Sequence, residues 1–297
     1  MPDGTNPAMP DTTHEPAVGL PTDSPAARRF RSRYGPWAVV TGATSGIGRA
    51  AATHLAGLGL NLVLVARRHG ELESLAQTLR QPHPTGPGIE VKVVPADLSE
   101  PGGRGVHLLE EACTELDVGL LVAAAGFGTT GTFVDATLDR ELEMLALNGE
   151  AVLRSTHHFG RRFAERGKGG IVLFGSIVGF QGTPNTAHYA ATKAYIQTLA
   201  EGLYLELALR GVDVISSAPG PVHSGFAERA GMIMGAATDP ETVVRVTFRA
   251  LGRRPTTYPG LLTRVLTGSL APLPRRMRSL IMGRVLGGMV RAPAQGG

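Results

Sequence analysis

From Trp37 onward, short runs of consecutive apolar residues alternate with longer stretches whose apolar positions recur every three or four residues. The runs are Trp37–Val40, Leu60–Ala66, Ile89–Val94, Gly119–Ala124, Ile171–Phe174 and Val212–Ala218, with a last short one near Thr256–Tyr258. A strand that is apolar at successive positions needs cover on both faces. Helical periodicity fills the gaps at Gly46–Leu58, Glu71–Leu79, Arg104–Leu116, Leu138–Glu165 and Ala187–Arg210. Together these patterns predict an α/β fold, a doubly wound parallel sheet in a single domain over residues 34–260. Residues 1–33, rich in Pro, Thr, Asp and Ala and without periodicity, are expected to form a disordered leader ending in Arg28, Arg29, Arg31 and Arg33. Residues 261–297 read as a basic amphipathic extension that packs on the domain or on a partner subunit.

Composition then removes several classes. The chain has 297 residues, 42% hydrophobic and 18% charged, which is globular composition. Its one cysteine, Cys113, lies in a helical stretch and reads as a packed core thiol, so no disulfide scaffold exists and a cytoplasmic setting is expected. No Cys/His cluster has zinc-ligand spacing, so no metal site is predicted. The net charge is +4, but the basic residues are spread out rather than gathered in a stripe that would follow nucleic acid. No run reaches the roughly eighteen apolar residues of a membrane span. The N-terminus shows no apolar stretch followed by a cleavage site, so no signal peptide is expected.

The candidate chemistry starts where the first strand runs into Thr41-Gly42-Ala43-Thr44-Ser45-Gly46-Ile47-Gly48 and a helix follows. Glycines let backbone approach a pyrophosphate, and a helix N-terminus offers N–H groups and a favourable dipole. A plain structural turn would also use glycines. At the end of the second strand, where an NAD site carries a carboxylate, the chain has Ala66 followed by Arg67 and Arg68. Guanidinium groups pair with a 2′-phosphate, so NADP(H) is expected in preference to NAD(H), although both arginines would also suit a solvated helix start. Further on, Tyr189 and Lys193 stand four apart on a helix and so share a face. Only three of the 29 basic residues are lysine, which makes that pairing conspicuous.

The T-G-x-x-x-G-x-G spacing, with Tyr189-Ala190-Ala191-Thr192-Lys193 and Ser176 13 residues before the tyrosine, resembles the classical short-chain dehydrogenase/reductase family over about residues 36–226. The resemblance implies a Rossmann fold, hydride transfer between NADP(H) and a carbonyl or alcohol, and a catalytic set of Asn148, Ser176, Tyr189 and Lys193. In that set Tyr189 is the general acid/base, and Lys193 with the oxidised nicotinamide is expected to lower its pKa from about 10. Ser176 would hold the substrate oxygen, and the Asn148 backbone carbonyl would hold a water leading to Lys193. The cofactor would lie against Gly42, Thr44, Ser45, Gly46, Ile47, Gly48, Arg67 and Arg68. Asp97 and Leu98 match the family's adenine contact, though Asp97 would equally serve as an N-cap. Ala125 and Gly126 would pass the ribose, and Pro219, Gly220, Val222 and Ser224 would pack on the nicotinamide.

The chain departs from the family pattern at Ala123-Ala124-Ala125-Gly126, where relatives show N-N-A-G, and at Gly175, where they often have serine. His188 and His223 match no family role and read as loop or surface histidines. Phe127, Phe180, Phe226 and Met232-Ile233-Met234 suggest an apolar substrate (a ketone, a 3-oxoacyl thioester or a steroid-like molecule), or equally core packing. In Pro274–Val290, Leu280, Ile281, Val285, Leu286 and Met289 alternate with Arg275, Arg276, Arg278 and Arg284, a pattern for a membrane surface, a cleft cover or a subunit contact, with packing preferred. The resemblance implies a homodimer or homotetramer through the two long helices. A non-catalytic NADP(H)-binding redox sensor is the rival reading, and a membrane-peripheral scaffold a further one.

Overall fold

The computed structural model describes residues 24–81, 88–223 and 237–287. Seven strands form one parallel sheet: β1 (Trp37–Thr41), β2 (Asn61–Ala66), β3 (Val91–Pro95), β4 (Val118–Ala123), β5 (Gly169–Phe174), β6 (Val212–Ser217) and β7 (Thr256–Thr257). Their order is β3-β2-β1-β4-β5-β6-β7. The chain winds outward through β2 and β3, then returns to lay β4 beside β1. That reversal leaves a crevice at the carboxyl ends of β1 and β4, where ligands of such sheets bind.

Period-two alternation assigns the strand side chains to two cores. Val40, Leu64, Leu120 and Val172 meet Ala51 and Leu55 of α2 (Gly46–Gly57), Leu72 of α3 (His69–Arg80) and Phe248 of α8 (Pro240–Ala250). On the other face Val39, Val63, Leu121 and Ile171 meet Leu109 of α4 (Arg104–Ala112), Phe159 of α6 (Ala151–Arg166) and Ile196 of α7 (Ala187–Ala208). Cys113 is buried in this second core, as its helical spacing predicts.

Two expectations change. Residues 24–33, expected within a disordered leader, are not so: Pro25–Tyr34 forms helix α1. The Ser24 side chain accepts from the Ala27 N–H (3.1 Å), Pro25 occupies the first turn, and Ala27 and Tyr34 are buried. Arg33 and Tyr34 both bind the Asp213 carboxylate, and Arg31 donates to the Leu58 carbonyl at 2.7 Å. Part of the expected basic patch is therefore a set of staples. The single long helix expected over Leu138–Glu165 is interrupted: α5 (Leu138–Leu145) and α6 are joined by a π turn at Ala146–Glu150. Such turns are frequent at functional sites. After β7 the chain forms α9 (Leu261–Leu270) and α10 (Arg275–Gly287).

Candidate active site

The crevice, about 260 Å³, runs from Arg67, Arg68 and Asp97 past the start of α2 to Tyr189, Lys193 and Val222. At its phosphate end the backbone leaves β1 and enters α2 within a few residues. Gly42 has φ +67°, and a Cβ there would lie 2.8 Å from the Ala125 Cα. A Cβ on Gly48 would lie 2.2 Å from the Gly42 carbonyl oxygen, so α2 abuts the turn with no room for a side chain. Gly42, Thr44, Ser45, Gly46, Ile47 and Gly48 all line the crevice. The first-turn N–H groups of α2 lack intrahelical acceptors and are suited to an anion.

Arg67 and Arg68 follow directly on β2. The Arg67 guanidinium lies 3.3 Å from Glu143 and 3.6 Å from Asp97. Arg68 donates to Thr44 Oγ1 at 3.0 Å and pairs with Glu71. Asp97 caps no helix. Its Oδ1 accepts from the Ser99 amide (2.9 Å) and hydroxyl (2.6 Å), closing a local turn. Burial pushes its carboxyl up, but the two Ser99 bonds and Arg67 outweigh that and hold it below the usual value. Ala125 and Gly126 line the middle of the crevice, and the Ala125 N–H donates to Thr41 Oγ1 at 3.0 Å. That bond ties β1 to the end of β4 without the missing asparagines.

At the other end β5 delivers Ser176 and α7 delivers Tyr189 and Lys193. Ser176 hydrogen-bonds Tyr189, and its Oγ also accepts from the Val178 amide at 3.4 Å. Lys193 Nζ lies 5.7 Å from the Tyr189 ring centre and donates to the Phe174 carbonyl at 2.8 Å. Asn148, in the π turn, is buried. Its Oδ1 accepts from the Phe127 amide at 3.2 Å, while Nδ2 donates to the Phe127 carbonyl at 2.8 Å and to Thr192 Oγ1 at 3.2 Å. The side chain thus locks the loop after β4 to the helix carrying Tyr189 and Lys193.

The electrostatics of the cofactor-free site are set by burial. Burial pushes the Tyr189 phenol above its ordinary range, and the Ser176 hydrogen bond offsets this only in part. Burial pushes Lys193 down to about 8. Before cofactor binds, the protein therefore favours the uncharged phenol of Tyr189; the expected lowering belongs to the state in which an oxidised nicotinamide lies beside it.

Pro219, Gly220 and Val222 line this end, with the Gly220 N–H donating to Thr263 Oγ1 at 3.0 Å; Ser224, Phe226 and Met232–Met234 lie outside the described residues. Phe127 lines the crevice, whereas Phe180 packs on Tyr258. His223 is exposed, but His188 is not a surface histidine: its Nδ1 lies 2.6 Å from the buried carboxylate of Glu141 on α5. Leu286 of α10 also lines the crevice, a contact that its apolar spacing could not distinguish from ordinary packing.

A family model described as short chain dehydrogenase matches residues 36–232. A 7beta-hydroxysteroid dehydrogenase of Clostridium sardiniense is 34% identical over 239 residues, covering 79% of this chain and 89% of that protein. A solved structure concerned with 7beta-hydroxysteroid dehydrogenase stereoselectivity is 28% identical, with TM-score 0.77 over 86% of this chain and 99% of that one. A short-chain dehydrogenase from Sphingobium yanoikuyae in complex with NADPH is 30% identical, with TM-score 0.70 over 81% and 97%. The chain belongs to the short chain dehydrogenase family and is an NAD(P)-dependent oxidoreductase.

Proposed function

We propose that the protein reduces the carbonyl group of an apolar small molecule, with NADPH preferred over NADH, and that Tyr189 supplies the proton. The observation that carries this reading is the meeting of Ser176, Tyr189 and Lys193 at one end of a crevice whose other end is a glycine turn into a helix N-terminus. The residues present fit a dinucleotide, since a continuous groove links the arginine pair, that helix start and the tyrosine. When bound, the nicotinamide supplies the hydride and, once oxidised, a positive charge beside the phenol.

The uncharged phenol favoured by burial is the form that can donate, so Tyr189 stands ready for reduction. Ser176, bonded to Tyr189, would hold the substrate oxygen within reach of that proton and steady the charge developing on it. Lys193 would bind the ribose hydroxyls and pass protons back to Tyr189 by way of a water on the Asn148 carbonyl. Arg67 and Arg68 would take the 2′-phosphate, with Ala66 leaving no carboxylate to repel it. Their present partners are exposed ion pairs, each worth at most about 1 kcal/mol, so a phosphate displaces them readily.

Phe127, Ile177, Val178 and Leu286 make the reacting end apolar, which together with the hydroxysteroid relative favours a polycyclic or lipid-like ketone. The outward sides of α5 and α7 expose Leu138, Leu142, Leu145 and Leu205, which suits pairing with a second copy of the chain. Among the described residues no helix is long and apolar enough to cross a membrane, and the buried thiol of Cys113 suits work in the cytoplasm.

The test is NADPH oxidation over a panel of ketones and aldehydes. Tyr189→Phe should lower kcat by about a hundredfold to ten-thousandfold with NADPH binding retained. Turnover unchanged by that substitution would overturn the mechanism. NADPH binding with no turnover on any carbonyl would turn the reading towards a sensor.

A further inference from the structure

Helices α9 and α10 bury their inner sides together. Leu270 of α9 and Met282 and Leu286 of α10 share a cluster with Ile177, Val178 and Ala190 beside the crevice, and Thr263 is buried on the same side of α9. Arg278 fixes the turn between the two helices by donating to the carbonyls of Leu273 (2.7 Å) and Ala271. On this side the two helices pack on the domain.

The opposite side is apolar and basic. Leu261, Leu262 and Val265 of α9 are 78%, 45% and 57% exposed, and Met277 and Leu280 of α10 are 48% and 49% exposed. Arg276, Leu280 and Arg284 follow one another at four-residue intervals, so they form a single stripe beside Met277. Charge along the chain is divided sharply here. Up to Glu241 there are 19 basic and 25 acidic residues; beyond it there are ten arginines and no aspartate or glutamate. Among the described residues none of Arg264, Arg275, Arg276 and Arg284 belongs to an ion pair.

We propose that the outer side of α9 and α10 docks on an anionic phospholipid surface. The leucines, Val265 and Met277 would enter the boundary between headgroups and acyl chains, while the arginines pair with the headgroups. A second copy fits this face poorly, since a two-fold contact would set a positive surface against itself. A nucleic acid has no use for five exposed apolar side chains. The face of α5 and α7 differs in kind, because Asp139, Glu143, Glu201 and Glu206 interrupt its leucines. Leu286 lines the crevice from α10 itself, so docking would bring the mouth of the crevice close to the lipid phase in which an apolar ketone collects. The docking stands whether or not the assigned reduction does.

Co-sedimentation of the full chain with vesicles tests it. The chain should partition onto phosphatidylglycerol–phosphatidylcholine vesicles, weakly onto phosphatidylcholine alone, and less as salt rises. Arg276→Gln with Arg284→Gln should lower the partition coefficient about twenty-five-fold, at about fivefold for each arginine. Val265→Asp with Leu280→Asp should abolish partition, while Arg28→Gln with Arg29→Gln on α1 should leave it unchanged. All these side chains are exposed, and thermal melts beside the parent check that each variant folds. Equal partition onto neutral vesicles, no effect of the α10 pair, or an equal loss from the α1 pair would overturn the proposal. A change of oligomeric state by Leu280→Asp in a chain that ignores vesicles would assign the face to a second copy instead.

Discussion

The two ends of the crevice are held by opposite means. At the phosphate end the turn from β1 into α2 is defined by the side chains it lacks: Gly42 takes a conformation that other residues resist, and Gly48 sits against a carbonyl oxygen. Nothing between Gly42 and Gly48 titrates. At the reacting end, Tyr189 and Lys193 both lie where burial penalises their charged forms. Folding and binding therefore agree at the first end, while at the second the reaction needs groups that the fold would be more stable without. Substitutions should damage stability and function together at the glycine turn, and should separate them around Lys193.

Gly48→Ala is the strongest attempt to break this contrast. The added methyl would meet backbone 2.2 Å away, with no flexible side chain to yield, so β1 and α2 must part. We expect a loss of about 3 kcal/mol, a fall of roughly 6–12 °C in Tm, with NADPH affinity reduced more than tenfold. A variant that melts and binds like the parent would show that the turn is not held by shape. Arg67 tests the exception at the same end, where charge enters. Arg67→Ala should weaken NADPH about tenfold and leave NADH unchanged, as loss of one charge-assisted contact predicts. Titration by cofactor fluorescence measures both, and equal affinities in the parent would remove the NADP preference.

The same contrast explains what was legible in the sequence. Strands buried on both faces are apolar at consecutive positions, so β1, β2, β4 and β5 could be read directly, and the glycine spacing marked the turn between β1 and α2. Helix α1 was missed because its Pro-rich surroundings masked the Ser24 cap and the Ala27–Phe30–Tyr34 spacing. Residue order also picked out Ser176, Tyr189 and Lys193, which line the same end of the crevice. Burial depends on everything packed around a side chain, and four-residue spacing says nothing about it, so the direction of the Tyr189 shift was unreadable. The same holds for Glu141 and His188, which are 47 residues apart and meet only through the packing of α5 on α7. It holds again for the π turn at Asn148, where the side chain must reach both Phe127 and Thr192.

The smallest effect isolates the reacting end. Lys193 titrates at about 8 in the folded protein and near 10.5 when unfolded. Between those values the unfolded chain keeps a proton that the folded chain has lost, so its contribution to the stability of the cofactor-free protein rises with pH. Cys113, pushed up to about 11 from 9.0, and Tyr189 act with the opposite sign from about pH 9 upward. They are common to parent and variant, so the difference between the parent and Lys193→Met reports Lys193 alone. Solvent reaches the crevice, which cuts the full linkage over pH 8–10 to about 1 kcal/mol. Denaturant melts at pH 7, 8, 9 and 10 should therefore show the variant more stable than the parent at pH 7. That advantage should shrink as pH rises, even though the variant has lost the bond to Phe174 and its turnover. An advantage that stays constant with pH would mean that Lys193 is not held against its charge, and the two ends would no longer differ in kind.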